Sequence, residues 1–386
     1  MVRSLKTILP LLGVIAVFCY TVIASAAVPD IKARASVLID AKTGQVLHEK
    51  SSHLRSAPAS TTKIMTAILA VESGRLDEVV QVSGRAAATR GSSMYLYPGQ
   101  KLSLQELVTG LLLRSGNDAA EAIAEHLAGS VEAFVQQMNR KALELGAVDT
   151  HFRNPHGLSA AGHYSSAYDL ALLARHALAN PVFAEIVSTK ETSIDWFDRR
   201  GREHDVNLRN TNRLLWMLDE ADGVKTGTTN EAGPCLVSSA TRGNQKLIAV
   251  VLHDHSRWYD SMQLLKYGFD NFDLYDFAGQ GDILASLPVE QGLAETVDAM
   301  VSNPAALVVS TGDYTRTSVE VDLPEKVKAP IYQGQVLGEI VFFVGDKAVK
   351  TISIVAGQDI PERTWIKTFL QHLIQAFRFL SGWGVL

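Results

Sequence analysis

The stretch Pro58-Ala59-Ser60-Thr61-Thr62-Lys63-Ile64-Met65-Thr66 constrains this chain more than any other. Apolar residues at Ile64, Ile68, Leu69 and Val71 recur at helical spacing, and Gly74 follows Ser73 as a stop. The periodicity predicts one amphipathic helix over 60–73 with Ser60 in its first turn. Residues three apart share a helix face, which puts Lys63 beneath the Ser60 hydroxyl. A serine at its free pKa is a weak nucleophile and needs a base within hydrogen-bond reach. A lysine amine that is desolvated, or set near other cations, loses its proton readily enough to be that base. The N–H groups at a helix start also favour the negative charge that acyl transfer develops on an oxyanion. Ser-x-x-Lys is a two-letter pattern that arises by chance in many proteins, so its meaning depends on whether partners follow.

The 386 residues, 47% of them hydrophobic and 20% charged, have an ordinary globular composition with enough chain for two or three domains. The formal charge of −5 argues against a general nucleic-acid binder. Arg3 and Lys6 precede an apolar run from Ile8 to Ile23, and small residues close it at Ala24-Ser25-Ala26-Ala27. This is the layout of a secretory signal peptide over 1–27, shorter than a membrane-spanning helix; the chain is expected to be exported. Losing two cations and no acids takes the mature chain to −7, from −5 − 2. Cys19 leaves with the signal, so Cys235 stands alone, and its neighbours Pro234, Leu236 and Val237 favour a buried, inert thiol.

Alternation over 35–39 and 46–48 around Lys42-Thr43-Gly44 predicts a β-hairpin. Ser103-Leu104-Gln105-Glu106 is a capping box opening a helix to about Leu113. Arg114-Ser115-Gly116-Asn117 breaks it, and a second helix runs from Asp118 to His126. Such a bend can project two short polar side chains, Ser115 and Asn117, into a cleft. Helices are also expected over 131–145 and 167–178, the latter with Ser166 and Asp169 as a capping box. The clusters His151, His156, His163 and His253, His255 lack metal-ligand spacing and read as loop-packing residues. From Asp222 three strands follow, over 224–228, 235–240 and 246–252, then a helix over 259–271. With the N-terminal hairpin they make an antiparallel sheet assembled from both ends of the segment, an α+β domain. Gly279-Gln280-Gly281-Asp282 reads as a linker to short β-rich runs that form a small all-β domain. After Pro361, Trp365, Ile366, Phe369, Leu370, Leu373, Ile374, Phe377 and Leu380 form one apolar face with Lys367 and Arg378 largely opposite. This is the pattern of an amphipathic helix lying on a membrane surface.

Ser60-x-x-Lys63, Ser115-Gly116-Asn117 and Lys225-Thr226-Gly227 thus occur in an order shared by penicillin-binding proteins and serine β-lactamases. Along nearly its whole length the chain resembles the D-alanyl-D-alanine carboxypeptidases, the low-molecular-mass penicillin-binding proteins. The resemblance rests on these motifs, on the residues flanking them from Leu111 to Ala120, on Gly223-Val224, and on Asn154-Pro155-His156-Gly157-Leu158. It implies a penicillin-binding or serine β-lactamase-like α+β domain over 28–278, a small β-rich domain over 284–360 and an anchoring helix over 361–386. It further implies that Ser60 attacks the bond between the two terminal D-alanines of a peptidoglycan stem peptide, with Lys63 as base. Ser115 would pass a proton to the leaving D-alanine, and Asn117 would hold the acyl side chain. Lys225 and Thr226 would face the substrate carboxylate. Gly227 would let the peptide pair with the strand. The N–H groups of Ser60 and Thr228 would form the oxyanion hole, and Arg257 would bind carboxylate. Thr228 stands where relatives often carry histidine, a departure that bears on deacylation. The implied partners are stem peptides, β-lactams as covalent inhibitors and the extracytoplasmic face of the bacterial membrane, with no metal, cofactor or nucleic acid. A D,D-endopeptidase would use the same residues. A class A β-lactamase would need a deacylating glutamate on a loop, which no segment supplies. An inactive peptidoglycan-binding scaffold would not need an intact catalytic set.

Overall fold

The computed structural model describes residues 28–197 and 202–363; the signal peptide expected over 1–27, and nearly all of the amphipathic helix expected after Pro361, lie outside the described residues. In chain order the first part comprises β1 (Ala35–Asp40), β2 (Val46–Lys50), α1 (Lys63–Glu72), β3 (Val79–Gln81), α2 (Gly84–Ala87), β4 (Lys101–Ser103), α3 (Leu104–Leu113), α4 (Asn117–Ala128) and α5 (Val131–Glu144). It continues with α6 (Ala167–Leu178), α7 (Pro181–Ser188), β5 (Glu191–Phe197), β6 (Glu203–Arg209), α8 (Leu214–Met217), β7 (Ala221–Thr229), β8 (Gly233–Arg242), β9 (Gln245–Leu252) and α9 (Arg257–Asn271).

The central sheet has the order β2-β1-β9-β8-β7 and is antiparallel throughout, so the N-terminal hairpin pairs with the last strand of the segment, as expected. Alternation along β1 divides the core. Ala35, Val37 and Ile39 face Ile64, Ile68, Leu111 and Leu170 of the helices; Leu38 faces Leu236, Leu247, Leu264 and Leu265 on the side covered by α9. Each fully buried Leu or Ile stabilises by about 1.5–3 kcal/mol, so both faces of the sheet are tied to helices. That leaves β7 as an edge strand, and an edge can accept an added peptide strand.

Two local expectations are corrected. The segment 60–73 is not one helix: Ala59–Thr62 form a 3₁₀ turn, and α1 begins at Lys63. Ala59 holds φ 49, outside helical space, so the chain enters the helix through i→i+3 bonds such as Thr61 N to Pro58 O. The capping box at Ser103 and Glu106 forms in full, whereas Ser166 and Asp169 make only its first half. Asp169 is one methylene shorter than Glu, and its Oδ2 instead accepts from Asp149 N and Thr150 Oγ1, both at 2.7 Å. Sequence reading also passed over α7 and the β5–β6 hairpin, which completes a second sheet of order β3-β4-β5-β6 beside the helices. Strand residues such as Glu191, Thr192, Ser193 and Asp195 offered no apolar alternation to read.

The second part is all β: β10 (Phe272–Ala278), β11 (Ile283–Glu290), β12 (Thr296–Val301), β13 (Ala305–Ser310), β14 (Thr317–Asp322), β15 (Val327–Lys328), β16 (Val336–Val344) and β17 (Lys347–Ala356). β10 pairs with β13, and the other six form a sheet of order β14-β16-β17-β12-β11-β15. Its core, around Val297, Ile340, Phe342 and Ile354, is separate from that of the first part. The two parts meet where Leu47 packs on Leu274, Ala306 and Val308, beside a Lys42–Asp276 ion pair.

Candidate active site

Three elements converge on Ser60. The first is the 3₁₀ turn itself. Residues i and i+3 eclipse in that geometry, and Lys63 Nζ lies 3.0 Å from Ser60 Oγ. The second is the α3–α4 bend. Ser115 sits there at φ 63, a strained conformation for a residue with a Cβ, and its buried Oγ has no partner among the described residues. Asn117, the first residue of α4, accepts from Lys63 Nζ through Oδ1 at 2.7 Å. Its Nδ2 donates to Arg90 O at 2.6 Å, which fixes the orientation of the amide. The third is the loop Asn154-Pro155-His156-Gly157. His156 O accepts from Lys63 Nζ at 2.7 Å, and Pro155 O accepts from Thr66 Oγ1 at 2.5 Å.

Lys63 is fully buried, and among the described residues no carboxylate is bonded to it. Burial holds its ammonium well below the ordinary 10.5, repulsion from Lys225 adds to the effect, and Asp118 opposes it. A neutral amine has two N–H donors and one lone pair. Asn117 Oδ1 and His156 O can only accept, so they take the two donors and leave the lone pair to the Ser60 hydroxyl.

β7 closes the site. Gly227 passes so near the Ser60 turn that a Cβ there would lie 2.9 Å from Ser60 N and 3.1 Å from Pro58 O. Lys225, two residues earlier and so on the same face of the strand, is also buried; burial, reinforced by Arg257, brings its ammonium down to about 7. Thr226 Oγ1 is 3.2 Å from Thr211 Oγ1, whose residue is tied to Leu113 O at the end of α3. Arg257 opens α9; its Nη1 donates to Gly227 O and Thr228 Oγ1, both at 2.9 Å, and to Cys235 O at 3.2 Å. The guanidinium is thus bound to the strand's own backbone, a less open position than a free carboxylate ligand would have. Cys235 is buried and its thiol pushed up to about 11.

Comparison with known proteins now decides the family. Residues 22–256 match the peptidase S11 family, described as D-alanyl-D-alanine carboxypeptidase, and residues 272–362 match the C-terminal domain of penicillin-binding protein 5. The chain belongs to the S11 peptidase family. It is 36% identical over 88% of its length to D-alanyl-D-alanine carboxypeptidase DacF of Bacillus subtilis, covering 89% of that protein. It is 34% identical over 92% of its length to DacA of Escherichia coli, covering 90% of it. Among solved structures, penicillin binding protein 5 from Haemophilus influenzae superposes with a TM-score of 0.73 at 30% identity, over 87% of this chain and 99% of that one.

The S11 site also contains groups that sequence reading did not assign. The carbonyls of Arg90 and His156 carry no side-chain signature, although the loop holding the second was conspicuous. Asp118 is fully buried and accepts from Ser93 Oγ at 2.6 Å, Met94 N at 3.0 Å and Leu96 N at 3.1 Å, which pins the segment after Arg90 to the head of α4. The histidines serve the same loops. His163 Nδ1 accepts from Arg153 N at 3.0 Å, so Nε2 carries the proton and donates to Thr62 Oγ1 at 2.9 Å; burial takes the ring to about 4 and keeps it neutral. His151 Nδ1 donates to Gly162 O at 2.7 Å.

Gly157 is where this packing is tightest. It holds φ 90, and a Cβ would fall 1.8 Å from Ala59 O. Gly157→Ala is expected to destabilise the protein by more than about 2 kcal/mol and to displace the Ser60 turn. Urea unfolding with β-lactam acylation rates would check this, and wild-type values for both would contradict the packing argument.

Proposed function

We propose that this protein is a serine-type D-alanyl-D-alanine carboxypeptidase that removes the terminal D-alanine from peptidoglycan stem pentapeptides and is acylated by penicillin. The observation that carries the reading is the Lys63 amine, buried, 3.0 Å from Ser60 Oγ and with its other two contacts both acceptors. The family and its catalytic chemistry, a serine acyl-enzyme, support it.

In this reading the stem peptide pairs with the free edge of β7 across Gly227. Its terminal carboxylate meets Lys225 and Thr226, with Arg257 supporting through the positive charge it places behind Gly227 and Thr228. The scissile carbonyl oxygen is held by the N–H groups of Ser60 and Thr228. Lys63 takes the Ser60 proton as Oγ attacks. The carbonyl–nitrogen bond then breaks, and the leaving D-alanine amine receives a proton through Ser115, whose hydroxyl has no partner among the described residues. Asn117 donates to the acyl side chain while holding Lys63. Water releases the shortened peptide and returns the proton through the same amine. Thr228, in place of a histidine, affects how fast that water attacks. The same site accommodates a cross-linked peptide as leaving group, so D,D-endopeptidase activity is the second reading.

Intact mass followed after addition of benzylpenicillin tests the assignment. A persistent adduct on Ser60, absent from Ser60→Ala and with little drug consumed, is expected. An adduct retained in Ser60→Ala would refute the nucleophile, and rapid loss of drug would indicate a β-lactamase.

We further propose that 1–27 is removed on export, that the peptidase domain expected over 28–278 ends instead near Asn271, because β10 pairs with β13 of the β-rich part, that this small β-rich domain runs to about 360, and that 361–386 binds the extracytoplasmic membrane surface peripherally. The aromatic and aliphatic face from Trp365 to Leu380, with cations opposite, supports the last point. Truncation before Pro361 should release an active enzyme from membranes. A truncated form that stays with membranes through a high-salt wash would contradict the anchor.

A further inference from the structure

The two oxygens that orient the Lys63 amine belong to different segments, and something must fix their spacing. Asn117 is secured by Arg90 O. His156 is a loop residue whose backbone is tied to Asn154 Oδ1, which accepts from His156 N at 3.3 Å and from Gly157 N at 2.7 Å, and its side chain gives the carbonyl a second anchor. The His156 ring is buried, its Nδ1 accepts from Leu158 N at 3.2 Å, and Nε2 therefore bears the proton. That nitrogen lies 3.4 Å from Glu121 Oε1. Glu121 is itself 8% exposed and stands four residues after Asn117 on α4, hence on the same helix face. Its other oxygen accepts from Arg85 Nε at 3.1 Å, and Arg85 continues to the exposed Glu132.

These contacts close a ring. It runs from Lys63 Nζ through Asn117 Oδ1, one turn of α4, Glu121 and the His156 ring to His156 O, and back to Lys63 Nζ. A buried carboxylate beside a neutral imidazole needs its hydrogen bonds satisfied, so the ring is stiff where it matters for the amine.

We propose that Glu121 is a positioning residue for acylation: through the His156 side chain it sets the spacing of the two acceptors that aim the Lys63 lone pair at Ser60. The proposal rests on Lys63 being the base. The charged and titratable groups that bear on it are Lys225 from β7 and Asp118 from α4 around Lys63, and Arg85 from α2 and His156 from the loop around Glu121. Burial lowers the His156 pKa against the opposing pull of Glu121, and the ring of contacts is proposed to transmit geometry and to relay no proton.

The test compares the acylation rate constant of full-length Glu121→Met, Glu121→Gln and Lys63→Arg with the unaltered protein, using benzylpenicillin across pH. Methionine keeps the volume and removes both acceptors; glutamine keeps one for His156 Nε2. Glu121→Met should acylate about tenfold more slowly with unchanged initial drug binding, as a misplaced reacting group does. Its acid limb should move to higher pH as water reaches Lys63 Nζ, and Glu121→Gln should recover most of the rate. If Glu121→Met fails to fold, Glu121→Ser, which is too short to reach His156, replaces it with the same expectation. Acylation by Glu121→Met or Glu121→Ser equal to that of Glu121→Gln, with an unmoved acid limb, would overturn the proposal while Lys63→Arg stays inactive. Normal acylation by Lys63→Arg would overturn the base assignment itself, and the positioning role with it.

Discussion

A lysine amine buried without a carboxylate is the constraint on which this site depends. Enclosing Nζ away from water disfavours its charge, and that penalty takes Lys63 well below the ordinary lysine range, as its proposed role as base requires. The surrounding structure can be understood as the means of keeping it there. The 3₁₀ turn sets Ser60 over Lys63, α4 brings Asn117, and the His156 loop seals the far side with a carbonyl. Strained backbone at Ala59 and Ser115 and the close approach at Gly157 occur where these pieces meet. Backbone strain of this kind, about 1–3 kcal/mol per residue, persists only where the surroundings over-determine it. Here two packed sheet faces and a helical core supply that support.

Electrostatics divides the labour between the two buried lysines. Burial lowers both ammonium groups: Lys63 lies well below the ordinary range, with repulsion from Lys225 adding and Asp118 opposing, and Lys225 comes down to about 7, with Arg257 adding. A substrate carboxylate beside Lys225 would favour its charged form, which would set the proposed anion-binding cation beside the proposed neutral base. Edge strand β7 brings the two functions together, because its Lys225 and Gly227 share the face turned to Ser60 while Arg257 stands behind it. The β-rich part has its own core and meets the peptidase part through Leu47 and an ion pair, so the chemistry does not rest on it.

Much of this was legible in the sequence, for definite reasons. The helical spacing of α3 and α6, the Ser103 capping box and the antiparallel strands around Lys225 follow from local pattern, and the order of three motifs carried the family. What local pattern could not give was the exact form of the Ser60 turn, since the positive φ of Ala59 occurs where Ala59 O packs against Gly157, about a hundred residues away in sequence. The β5–β6 hairpin was hidden because its strands are polar and pair mostly with each other. In the site, side-chain ligands could be read but backbone carbonyls could not, and the buried Glu121–His156 contact joins residues that no motif links.

The most direct test of this account is a side-chain nitrogen NMR titration of the lysines, with Lys63→Arg used to assign the Lys63 signal. The account predicts that Lys63 Nζ loses its proton well below the surface lysines, and that Lys225 does so as well. A Lys63 that keeps its proton up to the ordinary 10.5 would contradict it, because no neutral amine would then be available to activate Ser60.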